Sequence, residues 1–140
     1  MTLREALATG VAVSAVGFDD FEGFCYGGNI AGQTDVTMLV QSAGDQPPAD
    51  PLDGVIGRVT VYTGARPNIE GIHVGSTEQD VRDTYGVASL TETDHEYVPG
   101  GHYLRYESGG FAYVFETDGS VVTAMHAGDP NVVGYVEGCA

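Results

Sequence analysis

Residues 71–86 read GIHVGSTEQDVRDTYG, and the fold turns on whether this stretch is a glycine-rich loop for phosphate or the capped start of a helix. A phosphate loop needs a lysine beside its Ser/Thr and a helix N-terminus open to anionic oxygens. Here the lysine is missing, and the whole chain has none; its five basic residues are Arg4, Arg58, Arg66, Arg82 and Arg105. Glu78 and Asp80 would also repel phosphate from this helix start. As a helix the stretch is well formed. Ser76 or Thr77 supplies an N-cap, Asp80 lies where it completes a capping box with Thr77, and Val81 with Tyr85 makes an apolar stripe. The spacing predicts a short helix.

The same capping motif opens the chain. MTLREALATG (1–10) lies over STEQDVRDTYG (76–86), with Thr2 on Thr77, Glu5 on Asp80, Ala6 on Val81 and Thr9 on Thr84. The downstream segments also correspond: GRVTVYTGARPN (57–68) resembles GSVVTAMHAGDPN (119–131), each a glycine, a β-branched run, a second glycine and a Pro-Asn turn. This repeat predicts two tandem units, 1–68 and 69–140, each a helix followed by antiparallel strands. VTMLV (36–40), VIGRVTVY (55–62), HYLRYE (102–107), FAYVFE (111–116) and SVVTAMHA (120–127) read as strands. Asp118-Gly119 marks a tight turn, and the final VVGYVEGCA reads as a last strand. FAYVFE, apolar on both faces, belongs in a central position. Between 40 and 55 lies QSAGDQPPADPLDG, a loop too long for an ordinary hairpin.

Composition removes several classes of function. A chain of 140 residues with 42% hydrophobic content can build one ordinary core. No apolar run is long enough to cross a bilayer as a helix. A net charge of −15 repels nucleic-acid backbones and anionic lipid. Neither nucleic acid nor membrane is expected as a partner, no cofactor motif is present, and the oligomeric state is not encoded in any readable pattern. The two cysteines, Cys25 and Cys139, are not in a C-x-x-C pair. Paired, they would close most of the chain and on the chain-entropy model stabilise it by about 4 to 5 kcal/mol, which fits an oxidising, extracytoplasmic compartment. Two buried thiols in a reducing compartment are the other reading. The opening residues do not form a secretory signal, because Glu5 interrupts the charged region and Gly10 and Ser14 dilute the apolar one.

The [MS]-T-x-x-[ED]-[AV] motif at Met1–Ala6 and again at Ser76–Val81, each followed by a glycine-rich aromatic sheet, resembles the β-lactamase-inhibitor-protein fold and the related BamE/SmpA-type lipoprotein domain. GSTEQDV, FETDGSV and YVEGCA are also similar to exported lipoprotein-type sequences of high-GC bacteria. The resemblance implies an α+β fold in which two tandem helix-plus-antiparallel-sheet units form one curved sheet with helices packed on one face. It further implies a protein-binding module, exported or envelope-anchored, possessing a loop and aromatic side chains that meet a target protein; inhibition of a secreted enzyme is its specific form. The loop Gln41–Gly54 occupies the place of the inhibitory loop. The residues expected to meet the partner are then Asp45, Asp50 and Asp53, together with Tyr103, Arg105 and Tyr113.

Candidate chemistry is sparse beside this. Ser76 is not in a nucleophile elbow, and Cys25 has no histidine nearby in sequence, so no catalytic residue is assigned. TETDHEYVPGGHY brings Asp94, His95 and His102 together in sequence, with His126 on an adjacent strand. The alternative function is therefore a small metal-dependent or hydrolytic enzyme built on the His95/His102 region, with Asp94, His95 and His102 as ligands.

Overall fold

The computed structural model describes residues 1–10, 13–14, 25–30, 32–42, 46 and 48–136. Two compact units are distinguished: Met1–Val59 with the tail from Tyr135, and Thr60–Gly134.

In the first unit, helix α1 (Leu3–Ala8) is followed by strands β1 (Val13–Ser14), β2 (Cys25–Ile30), β3 (Gln33–Gln41) and β4 (Val55–Val61), along which the chain passes into the second unit. The strand order is β1-β2-β3-β4, with β1–β2 and β2–β3 antiparallel. Thr2 caps α1, and the Glu5 carboxylate returns to the Thr2 amide. Leu3, Met38 and Val40 form the core of this unit, flanked by Leu52, Ile56 and Val59.

The second unit runs α2 (Glu78–Tyr85), β5 (Leu90–Asp94), β6 (His102–Ser108), β7 (Phe111–Thr117) and β8 (Val122–Gly128), with strand order β5-β6-β7-β8, all antiparallel. Thr77 caps α2 through Asp80 in the same capping box. Gly86, at φ 82°, ends the helix. Gly109 and Gly110, at φ 59° and 80°, make the two-residue turn between β6 and β7, where two positive φ angles in succession favour glycine. Cross-strand pairing sets two faces. Leu104, Tyr113, Phe115 and Met125 face α2 and pack with Ile72, Val81 and Val122. Tyr103, Ala112 and Val114 occupy the other face and pack on Val133.

The two capped helix starts match in backbone detail. Thr2 bridges to Val55 with Leu3 N–H donating to Gly54 O (2.9 Å) and Ile56 N–H to Met1 O (3.0 Å). Thr77 bridges to Val121 with Glu78 N–H donating to Ser120 O (3.0 Å) and Val122 N–H to Ser76 O (2.8 Å). Each capping threonine is thus stitched to the start of its unit's last strand.

The architecture nevertheless corrects the expected fold class. Antiparallel strand dominates the described residues, and only α2 exceeds two helical turns. It is not a pair of helix-plus-sheet units with helices packed on one face of a curved sheet. The physical reason is length: Thr9 and Gly10 end α1 after six residues, which leaves a capped turn too short to cover a sheet. The expected last strand is also corrected over its described residues 132–136, since residues 131–134 form a turn, while 137–140 lie outside the described residues. Asp129 accepts the Asn131 amide (2.7 Å) and its carbonyl accepts those of Val132 and Val133, so local turn chemistry overrides the β-branched pair.

Replacing Thr77 with Ala removes one cap acceptor and should lower stability by about 1 kcal/mol. Phe115→Ala, at a fully buried position, should cost about 3 to 5 kcal/mol. Urea unfolding measures both, and equal losses would contradict this division between cap and core.

Candidate functional site

On the α2 face, Glu78 is the hub. It opens the helix yet is only 7% exposed. Its Oε1 accepts the Thr117 hydroxyl and faces His102 Nδ1 at 2.7 Å, and Oε2 accepts Arg82 Nη2 at 3.2 Å. Arg82 Nη2 also donates to Glu92 Oε1 and Oε2 (3.0 and 2.9 Å). Burial pushes the Glu78 carboxyl up, but the bonds from Thr117 and His102 outweigh it and hold the group below its ordinary value. The same Glu78 bond raises His102, with Glu92 and Asp94 adding to it. Glu78, Glu92 and His102 bring ligand-type atoms within 4.8 Å of one another. The Arg82 guanidinium donates to both carboxylates of this cluster.

On the opposite face, Glu116 is the hub. Its Oε1 faces His126 Nε2 at 2.8 Å, and its Oε2 faces His95 Nε2 at 3.5 Å. Bonding to His126 holds the Glu116 carboxyl below its ordinary value against the opposing effect of burial. His126 Nδ1 lies 2.7 Å from Thr60 Oγ1, so Thr60, His126 and Glu116 form a hydroxyl–imidazole–carboxylate chain. Those are the parts of an activated nucleophile. Thr60 is 1% exposed, however, and a buried hydroxyl meets no substrate; this chain is a satisfied core network.

An aromatic run crosses the α2 face. Phe115 lies 5.6 Å from both Tyr85 and Tyr113, Tyr85 lies 4.5 Å from Tyr106, and Phe111 meets Tyr113 edge-on at 4.8 Å. The run grades from the fully buried Phe115 to Phe111, which is 40% exposed. Asn68 Nδ2 donates to the Tyr85 hydroxyl (2.8 Å), which in turn donates to Glu70 (3.2 Å). Burial pushes the Tyr85 phenol up, keeping it an O–H donor. Between Asn68 and Glu70, Ile69 is 93% exposed.

The residues singled out from sequence do not converge. Asp45 lies outside the described residues. Asp50 caps a short turn through Leu52 N–H, and Asp50 and Asp53 both pair with Arg4 (2.7 and 2.8 Å), fixing the end of the long loop to α1. Tyr103 and Arg105 share the Glu116 face, where Tyr103 stacks on His95 (4.5 Å) and Arg105 donates to Pro130 O (2.7 Å). Tyr113 belongs to the aromatic run on the α2 face. Asp94 pairs with His102 across β5 and β6, whereas His95 turns to Glu116, so Asp94, His95 and His102 do not assemble as one ligand set. Cys25 begins β2, and Cys139 lies outside the described residues.

Sequence reasoning missed both hubs. Glu78 reads as a first-turn helix acid, and its partners stand 24 and 39 residues away. Glu116 had a signal: alternation along FAYVFE places it with Ala112 and Val114 on a packed face. No helix among the described residues is long and apolar enough to cross a membrane. Compared with known proteins, the chain matches no family model, no curated protein and no solved structure.

The Glu78–His102 pair predicts a pH signature. The raised His102 contributes stability fully below the unfolded imidazole value of 6.5 and loses it as pH rises through its folded value. The lowered Glu78 contributes above the unfolded carboxyl value of 4.5 and loses it as pH falls through its folded value. The stability difference between wild type and His102→Gln should be greatest between those two values and shrink on either side. A difference constant from acid to alkaline pH in urea titrations would contradict the pairing.

Proposed function

We propose that the chain is an exported protein-binding module that meets its partner through the aromatic run of the second unit, with inhibition of a secreted or envelope enzyme as its specific form. The observation that carries this reading is the graded exposure of the packed rings Phe115, Tyr113 and Phe111. Aromatic side chains whose inner neighbours belong to the core offer contact area with little rotamer freedom left to lose on binding. Tyrosine adds a hydroxyl at each contact, and such residues dominate binding energy at protein interfaces. The net charge of −15 favours a partner whose rim around the contact is basic.

Less supports an enzyme built on the His95/His102 region. The two histidines serve hubs on opposite faces, and the hydroxyl nearest to an activated nucleophile is buried.

Immobilised protein should retain a partner reproducibly from secreted or envelope fractions, and retention should weaken with added salt. Phe111→Ala combined with Tyr113→Ala should lower affinity at least about tenfold with the fold intact by circular dichroism. Equal capture by wild type and the double variant would overturn the aromatic contact. Export rests on pairing of Cys25 with Cys139. The intact mass should rise by two hydrogens on reduction, and alkylation before reduction should add nothing; two alkylated thiols in oxidatively prepared protein would contradict it.

A further inference from the structure

The β5–β6 connection, residues 95–101, is held by an acceptor that can be titrated away. His95 is a buried side chain, 7% exposed. Its Nδ1 accepts two backbone N–H groups of its own loop, from Tyr97 (3.1 Å) and Val98 (3.2 Å). An imidazole nitrogen that accepts cannot carry a proton, so the single ring proton sits on Nε2, facing Glu116 Oε2. The arrangement is therefore specific to the neutral ring in one tautomer.

We propose that His95 is a pH-responsive latch: the neutral ring clasps the 95–101 loop, and protonation at Nδ1 releases it. A proton there would point at two amide hydrogens and remove the acceptor of both. The charged groups around the ring come from each element packed on it. Glu116 of β7 faces Nε2 at 3.5 Å; Tyr103 of β6 stacks on the ring with its hydroxyl 3.4 Å from Nδ1; Glu96 is the next loop residue, its amide 3.4 Å from the same hydroxyl. His126 of β8 shares Glu116, and Arg105 of β6 on this face is occupied by Glu107 and Pro130. Glu116 thus faces the Nε2 side of the ring and not Nδ1.

His126 is not a second latch. Its Nδ1 partner is a hydroxyl, which can donate to the neutral ring or accept from the charged one by rotating. At His95 Nδ1 the two amides are the closer contacts (3.1 and 3.2 Å), and the hydroxyl there, that of the stacked Tyr103, stands farther off at 3.4 Å and also accepts the Glu96 amide, whereas Thr60 Oγ1 lies 2.7 Å from His126 Nδ1. The two histidines share one carboxylate but differ in what lies closest to Nδ1. The loop released by His95 carries Tyr97, 57% exposed, so its conformation alters the aromatic surface the protein presents.

The experiment is an NMR titration of ¹⁵N-labelled protein from about pH 8 to about pH 5, the range in which imidazole charge changes. The His95 Nδ1 resonance should report an unprotonated nitrogen at the upper end and a protonated one at the lower end. Over that same change, exchange protection of the Tyr97 and Val98 amides, corrected for intrinsic rate, should fall at least about tenfold, while the Phe115 amide stays protected. His95→Asn places a non-titrating carbonyl oxygen near the Nδ1 position and should make the two amides insensitive to pH. If the variant does not fold, the wild-type titration decides alone. The proposal is overturned if Nδ1 protonates with Tyr97 and Val98 still protected, if Nδ1 never protonates in this range, if Phe115 loses protection in parallel, or if His95→Asn responds as wild type does.

Discussion

The second unit depends on how the start of α2 is tied to the sheet. Glu78 and Val122 exchange backbone hydrogen bonds with Ser120 and Ser76 across the Thr77 cap, and the Glu78 side chain reaches Thr117 and His102 on two further strands. A helix of eight residues has little stability of its own. Its position must come from tertiary bonds and from Val81, which is fully buried against Leu104 and Phe115. The charge on Glu78 is tolerated in a buried place because each oxygen has a donor, and because the residue also sits at the positive end of the helix.

The same economy organises both faces of this sheet. Each carries one buried or half-buried carboxylate, Glu78 or Glu116, with histidine partners and a threonine hydroxyl at hydrogen-bond distance from the network. Apolar packing then fills the remaining surface, with Val81 and the aromatic run on one side and Val133 on the other. Polar networks fully satisfied in this way fix a unique arrangement of strands, whereas a single missing partner leaves a buried charge exposed to its full desolvation cost. Glycine permits the close contacts at the loop end: a Cβ on Gly101 would collide with the Thr117 carbonyl, and one on Gly119 with the Gly100 carbonyl.

Local chemistry was legible in the sequence and long-range chemistry was not. Both capping boxes follow from Thr-x-x-acid spacing, and the 102–107 and 111–116 strands from alternation and apolar content. Helix length was harder to judge, since a capping box signals where a helix begins and says little about whether six residues or twelve will follow. The sequence neighbours Asp94, His95 and His102 suggested one cluster, but successive strand residues face opposite ways, which sent His95 to Glu116 and His102 to Glu78. The hubs themselves draw on residues up to 66 positions apart, and no local pattern encodes such a meeting.

The most direct measurement of the central claim is native-state hydrogen exchange at the Glu78, Val122 and Phe115 amides in increasing urea. If the capped start of α2 and the sheet are one cooperative structure, all three exchange only through global unfolding and share its free energy and denaturant dependence. Exchange of Glu78 and Val122 through a separate, low-energy opening while Phe115 remains protected would show that the helix start is a peripheral appendage, contrary to this account.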